Sequence, residues 1–331
     1  MDGICTLAND VVFEQVVALL NSLEENLARP LPVCIYPYDD NTEKLEAEIA
    51  HRPLVQLYQD RESMDRWDQF AKAAWKPHPT AWKRWKAAGS EGYHRFGTHR
   101  RYCAFDGPFE RFLYMDADTL LMSPVDTIFA KLADHDCVVY DFQYKDPKHI
   151  YECESEKLER IFPPERVQSE IFCSGFYASH KDLFDQEKRD WLIACLNAGE
   201  AEIVYPMAVD QPLLNYMMMR SNHSIYNFAH HLPKASRTGC CVTSSHFEAK
   251  DHRLYDRGKI LTYIHYIGLR SRLFTRVCAG ENIDFPYRDI FLHYRFLHEP
   301  EKRPKFSDKP IPYNQPPNLA QRIFKKLGLT V

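Results

Sequence analysis

Residues 112–121 read Phe112-Leu113-Tyr114-Met115-Asp116-Ala117-Asp118-Thr119-Leu120-Leu121. The four apolar or aromatic residues at the front have strand character, and the segment Asp106-Gly107-Pro108 bounds them upstream. The run ends in two carboxylates spaced i, i+2, which extended backbone points to the same side. Two acids held together in this way repel unless a cation lies between them. Hard oxygen ligands suit Mg²⁺ or Mn²⁺, which share such sites with substrate phosphates and water. A bare Asp-x-Asp is ordinarily a solvated acidic turn. The buried strand in front of it changes the reading, because open α/β sheets bind ligands beyond the carboxyl ends of their strands. An Asp-x-Asp-x-Thr phosphatase nucleophile of the haloacid-dehalogenase type is a second reading, although here Thr119 comes one position early and Leu120 stands in the Thr position.

Upstream, Gly3–Ala8 reads as a first strand, and Asn9-Asp10 offers an N-cap to a helix with Val12, Val16, Leu19, Leu20 and Leu23 at helical spacing. A second strand, Val33–Tyr36, runs into Asp39-Asp40. A charged helix over 42–50 and a third strand over Leu54–Tyr58 follow. Strand and helix alternating in this way open a parallel, doubly wound α/β sheet. The first turn lacks the Gly-rich dinucleotide fingerprint, which argues against a Rossmann dehydrogenase. Residues 67–101 read as helical and are crowded with Trp and basic residues. Most of these form a solvated face; Arg95 and Arg100, directly before the central strand, are the candidates to meet a diphosphate.

Downstream, a helix opens at Ser123–Phe129 and a strand covers Cys137–Tyr140. Residues 143–170, polar and Pro-containing, read as a surface excursion near the acceptor side. Ile171–Ala178 reads as a strand interrupted by Gly175, where a bulge or the close approach of a ligand is expected. Ala208–Asn215 starts a helix, with Asp210 explicable as an ordinary N-cap. The last patterned run, Leu261–Gly268, carries His265 and is followed by Arg270, Arg272 and Arg276. Beyond Glu299 a Pro- and Lys-rich stretch reads as a linker without regular structure, ending in a basic amphipathic helix over 319–327. That helix packs on the domain or touches an anionic membrane surface. The expected division is a domain over 1–298 and a tail over 299–331.

The chain has 331 residues, 45% of them hydrophobic, enough for one large α/β domain. Its net charge of −4 argues against binding nucleic acid through bulk charge. Ten Cys, most of them inside apolar runs, point to a reducing compartment. The first strand begins at Gly3, which leaves no room for a signal peptide, and no apolar run approaches the ~20 residues of a membrane span. The expectation is a cytoplasmic protein, peripheral at a membrane if the tail binds one.

Taken in order, these stations resemble a GT-A-fold nucleotide-sugar glycosyltransferase, closest in pattern to glycosyltransferase family 8 (glycogenin and galactinol synthase). The resemblance covers most of residues 3–276. It implies a mixed, mainly parallel sheet flanked by helices, and a hexose moved from a nucleotide sugar, UDP-linked by preference, to a sugar, lipid-linked or small-molecule acceptor. It implies that Asp116, Asp118 and His265 hold Mn²⁺ or Mg²⁺, the last through a motif resembling His-x-x-Gly that ends at Gly268. Thr6, Ala8, Asn9, Asp39, Arg100 and Ala117 would lie against the nucleotide. Asp210 and Gln211, similar to the family's Asp-Gln-Asp stretch, would face sugar and acceptor. Ser174-Gly175 resembles an Asn-Ser-Gly stretch in which Cys173 replaces Asn. The family's Lys-Pro-Trp is missing, and Ser271 stands between Arg270 and Arg272, either of which would take over the phosphate contact. A binding protein that holds a nucleotide sugar without turnover is a third reading.

Overall fold

A computed structural model of the chain describes residues 1–314. The basic helix expected over 319–327 lies outside those residues, and with it the expected membrane contact. Strand β1 (Asp2–Ala8) is buried from Gly3 onward, as a central parallel strand covered on both faces has to be. It pairs in parallel with β2 (Val33–Pro37) on one side and β4 (Arg111–Met115) on the other, and β2 pairs in parallel with β3 (Val55–Leu57). Beyond β4 the sheet continues through β7 (Phe176–His180), β6 (Cys137–Val139) and β8 (Ile225–Asn227), giving the order β3-β2-β1-β4-β7-β6-β8. Only β7 runs against its neighbours. The α/β class and the mixed, mainly parallel sheet flanked by helices expected from the sequence are both present.

Side chains alternate across this sheet with period two. Cys5, Cys34, Tyr36, Tyr114 and Tyr177 face a core with Trp67, Trp85, Tyr102 and Phe105. Ile4, Ile35, Leu113, Met115 and Phe176 face the opposite core with Leu19, Leu20, Leu23 and Ile128. The helix Phe13–Asn26 is buried along most of its length because the helix Arg288–Arg295 packs on its outer side. Asn26 donates to the Tyr294 hydroxyl and to the Leu121 carbonyl, fixing the helix Arg288–Arg295 to the segment after the Asp-x-Asp.

Several expectations are corrected. A short strand, β5 (Thr119–Leu121), follows the two acids at once. The strand expected from Ile171 begins only at Phe176; Phe172 instead exchanges both backbone hydrogen bonds with the Asn215 side chain. The excursion over 143–170 holds two helices, Glu156–Ile161 and Pro164–Glu170, and Ile150 and Tyr151 in it are fully buried. The basic stretch is two helices, Arg61–Trp75 and Ala81–Ala87, and then a 3₁₀ segment, Thr98–Phe105, entered through Gly97 at φ 109°. A Cβ on Gly97 would lie 2.5 Å from the Tyr38 carbonyl oxygen, so only glycine lets this segment reach the end of β2.

A small antiparallel sheet, β9 (Glu248–Lys250), β10 (Arg253–Asp256) and β11 (Lys259–Ile260), precedes β12 (Tyr263–His265), which pairs antiparallel with β5. The Pro-rich stretch is not wholly irregular. Pro300–Lys302 form a 3₁₀ turn, and β14 (Ile311–Pro312) pairs in parallel with β13 (Ile283–Asp284). Among the described residues, no helix is long and apolar enough to cross a membrane.

Candidate active site

The two aspartates emerge where β4 ends. The Asp116 N–H donates to the Gly175 carbonyl (2.9 Å), extending the β4–β7 pairing by one step. The Thr119 N–H and hydroxyl both return to the Asp116 carbonyl (3.0 and 2.7 Å), closing a tight turn. That turn sends β5 against β12 with Thr119 opposite His265, and the Tyr266 N–H donates to the Asp118 carbonyl. One ligand atom from each of Asp116, Asp118 and His265 lies within 4.8 Å of the others. His265 Nε2 is 3.2 Å from Asp118 Oδ1 and 3.9 Å from Asp116 Oδ2. Two carboxylates and an imidazole at these separations can coordinate a divalent ion.

Gly175 keeps this place clear. A Cβ there would lie 2.5 Å from His265 Cε1 and 2.8 Å from Asp116 Oδ2. The position that reads as a bulge or a ligand approach in the sequence is thus one where any side chain would intrude on the three ligands. Burial drives the Asp116 carboxyl up, and Asp118 beside it adds to this against the opposing pull of Arg101. Burial opposes ionisation of Asp118 as well, but His265 outweighs it and holds that carboxyl below its ordinary range. Burial alone would lower His265; the Asp118 carboxylate instead holds the imidazole well above its usual value.

Arg101, absent from the sequence-based candidates, is the cation that organises this cluster. Its Nη2 lies 3.1 Å from Asp116 Oδ1 and 3.0 Å from Asp210 Oδ2. Nη1 donates to the Ser174 carbonyl and hydroxyl, Nε donates to the Thr98 carbonyl, and the guanidinium lies over the Tyr114 ring at 4.9 Å. Every donor of a buried guanidinium needs a partner, and this set supplies them. Asp210 is the first residue of the helix Asp210–Arg220 and not its cap, since Val209 holds the cap position. Its carboxylate takes Arg101 and the Ser174 hydroxyl (3.3 Å) instead. Gln211 accepts from the Ser174 N–H (3.1 Å).

The nucleotide-side candidates gather at the ends of β1 and β2. Asn9 caps the turn after β1 and donates to Asp39 Oδ2 (2.9 Å). Ala8 is buried, and Thr6 is fully buried with a hydroxyl that has no hydrogen-bond partner among the described residues. Arg100 does not reach Asp116. Its Nε and Nη2 bind Asp68, and Nη1 points to the Pro37 and Tyr38 carbonyls. Arg95 is exposed, at φ 49°. Ala117 is buried between the two acids. Gly268, exposed and at φ 83°, makes the turn after His265, with Arg270 and Arg272 exposed just beyond.

Asp141 is the second residue missing from the sequence-based candidates. It is separated from β6 by one residue, the buried Tyr140, and an acid directly after a buried apolar run was the signal available. It is 3% exposed; Oδ1 accepts from the Gln143 N–H, and Oδ2 has no partner among the described residues. Burial pushes its carboxyl up to about 7. Asp141, Cys173 and His265 line one cavity of about 850 Å³.

Among solved structures, the chain is similar to mouse xyloside xylosyltransferase 1 in its apo form, at 12% identity and a TM-score of 0.47, over 69% of this chain and 85% of that one. It is similar to the galactosyltransferase LgtC in complex with donor and acceptor sugar analogues, at 13% identity and a TM-score of 0.49, over 83% and 94% of the two chains. A third is the apo structure of the bifunctional glycosyltransferase WbbM, at 13% identity and a TM-score of 0.49, over 91% of this chain and 51% of that one. At these scores the likeness assigns no activity to this chain. No family model matches the sequence, and no curated protein matches it.

Proposed function

We propose that this chain is a metal-dependent glycosyltransferase of the GT-A class, family-8-like in pattern, that moves a hexose from a UDP-linked sugar to an acceptor hydroxyl. One observation carries the reading. Asp116, Asp118 and His265, from two distant parts of the chain, bring ligand atoms within 4.8 Å of one another beyond a central parallel strand. A divalent ion held there, Mn²⁺ or Mg²⁺, supplies Lewis-acid stabilisation to negative charge on a departing diphosphate.

The protein's own groups do the rest. Arg101 pins Asp116 through Oδ1, leaving Oδ2 on the His265 side. Fixed ligands of this kind need no reorganisation as charge develops, which is commonly the largest catalytic contribution. Under this reading Asn9, Asp39 and the β1 end hold the nucleoside, while Arg270 and Arg272 donate to the phosphates in place of the family's Lys. Asp210 and Gln211 set the floor beneath the sugar, and Asp141 accepts a hydrogen bond from a non-reacting hydroxyl of the acceptor. The acceptor oxygen bonds to the anomeric carbon as the bond to the β-phosphate oxygen breaks. The electron pair leaves with the diphosphate, which also takes the acceptor proton. Retention is the stereochemistry that the resemblance favours.

The test is nucleotide release from a panel of UDP- and GDP-sugars with Mn²⁺, with and without acceptors. The reading predicts slow release of UDP that a chelator or Asp118→Asn removes and an acceptor accelerates. Phosphate release from simple monoesters without nucleotide-sugar turnover would make the chain a phosphatase. Tight UDP binding without any turnover would make it a binding protein.

A further inference from the structure

Asp116 and Asp118 do not line the cavity that His265 shares with Asp141; its lining holds four basic residues and, besides Asp141, two further acids, Asp146 and Asp256. Lys145, Lys234, Arg237 and Arg257 all line it. Arg257 is neutralised by Asp256, 2.9 Å away. The other three form no ion pair with any carboxylate among the described residues. Arg237 donates to the Leu232 and His230 carbonyls (2.6 and 2.9 Å), bonds that fix the side chain and leave its charge uncompensated. Lys145 lies over the Phe142 ring at 4.6 Å, which holds its ammonium at the cavity edge. Lys234 is exposed on the segment leading into Arg237. The buried Asp141 carboxylate also lines it; the Gln143 and Cys173 backbone N–H groups act on it, and Oδ2 lacks a full hydrogen bond among the described residues.

The acid and the cations ask for different chemistry. A buried oxygen without a full hydrogen bond calls for a hydroxyl donor. Cations without a carboxylate partner in a concave wall concentrate anions, with the guanidinium suited to an oxyanion fork and the ammoniums to point charge. The volume of about 850 Å³ fits a small molecule of mono- or disaccharide size. We infer that this cavity binds a hydroxylated ligand carrying a phosphate or carboxylate, the hydroxyl end toward Asp141 and His265 and the anion toward Lys145, Lys234 and Arg237. Its role as the acceptor rests on the transferase reading; its binding chemistry does not.

The experiment is calorimetric titration of the full chain with glucose 6-phosphate, glucuronate and glucose, in the wild type and in the double variant Lys145→Ala/Lys234→Ala. UDP with Mn²⁺ is titrated in parallel. Both lysines are exposed, so the variant keeps its fold, which an unchanged melting temperature verifies. The inference predicts that at least one of the two anions binds roughly tenfold or more tightly than glucose, and that the double variant loses about five- to tenfold of that affinity. UDP–Mn²⁺ affinity is unchanged. Which anion binds more tightly identifies the group. Equal binding of glucose, or no loss in the variant, overturns the inference. So does a matching loss of UDP–Mn²⁺ affinity, which would assign these cations to the donor's diphosphate. If the wild type binds a sugar anion through these lysines but never binds UDP–Mn²⁺, the cavity inference stands and the transferase reading falls.

Discussion

Two buried charge clusters flank the 3₁₀ segment Thr98–Phe105, and they are built on opposite principles. In the first, Asp68 accepts from His99 Nε2 at 2.9 Å and from Arg100 through two guanidinium nitrogens at 2.9 and 3.2 Å. One carboxylate meets one permanent cation, and the group is closed. In the second, Asp116, Asp118 and Asp210 crowd around Arg101, with His265 alongside. Three carboxylates face one permanent cation, and Asp116 and Asp118 each keep about a quarter of their side-chain surface open. A divalent ion replacing the imidazole proton would bring the second cluster to neutrality. Adjacent arginines thus serve different ends: Arg100 completes a structural ion pair, while Arg101 leaves a deficit of positive charge that a ligand can fill.

The comparison predicts opposite phenotypes. The largest effect is on turnover. Asp118→Asn should lower metal-dependent nucleotide release by about 10³-fold with only a small fall in melting temperature, since the amide ends repulsion from Asp116 but gives up the pairing with His265; turnover and thermal melts on one preparation check both halves. Next, Arg101→Met should destabilise by about 3–5 kcal/mol, because it strands Asp116 and Asp210 without their cation; denaturant unfolding reads this. Asp68→Asn should cost about 2 kcal/mol at neutral pH and leave metal binding intact. Burial works against the Asp68 charge, but the hydrogen bonds from His99 and Arg100 outweigh it and hold the carboxyl at about 2, below its ordinary 3.8. His99 is itself lowered by burial, which makes it a neutral donor and Arg100 the charged partner. A depressed carboxyl stabilises the fold above its unfolded pKa and loses that contribution as pH falls through the folded one. The difference in stability between wild type and Asp68→Asn should therefore shrink as pH drops from about 4 toward 2. The smallest effect is Gly175→Ala, which should weaken Mn²⁺ binding by about tenfold, roughly 1.4 kcal/mol, through the methyl set against His265 and Asp116.

The two clusters also explain what could be read in advance. Asp116, Asp118 and His265 were legible because each ends or follows an apolar run, and a strand end is a place that local pattern reveals. Thr6 and Asn9 were singled out by the family resemblance; the structure puts Thr6 inside β1 and Asn9 just beyond it, bonded to Asp39 past β2. Arg101 was not legible, because nothing local separates it from Arg100. The choice between them is made by Asp68 on one side and by Ser174 and Asp210 on the other, residues 32 to 109 positions away. Asp141 had the same local signal as Asp116 without a second acid to draw notice. Asp210 read as a helix cap because capping is a local role, whereas its partners are distant in sequence. The fold itself was legible up to β4, where strand and helix alternate. After that β7 inverts, and β5 and β12 pair across more than a hundred residues, relations set by tertiary contact.

The most direct test of the account is Mn²⁺ titration followed by loss of the free-ion EPR signal, with and without UDP. The account predicts one Mn²⁺ per chain, bound more tightly with UDP, abolished by Asp118→Asn and retained by Asp68→Asn. A wild-type chain that binds no Mn²⁺ even with UDP present, or an Asp118→Asn chain that binds it as well as wild type, would contradict it.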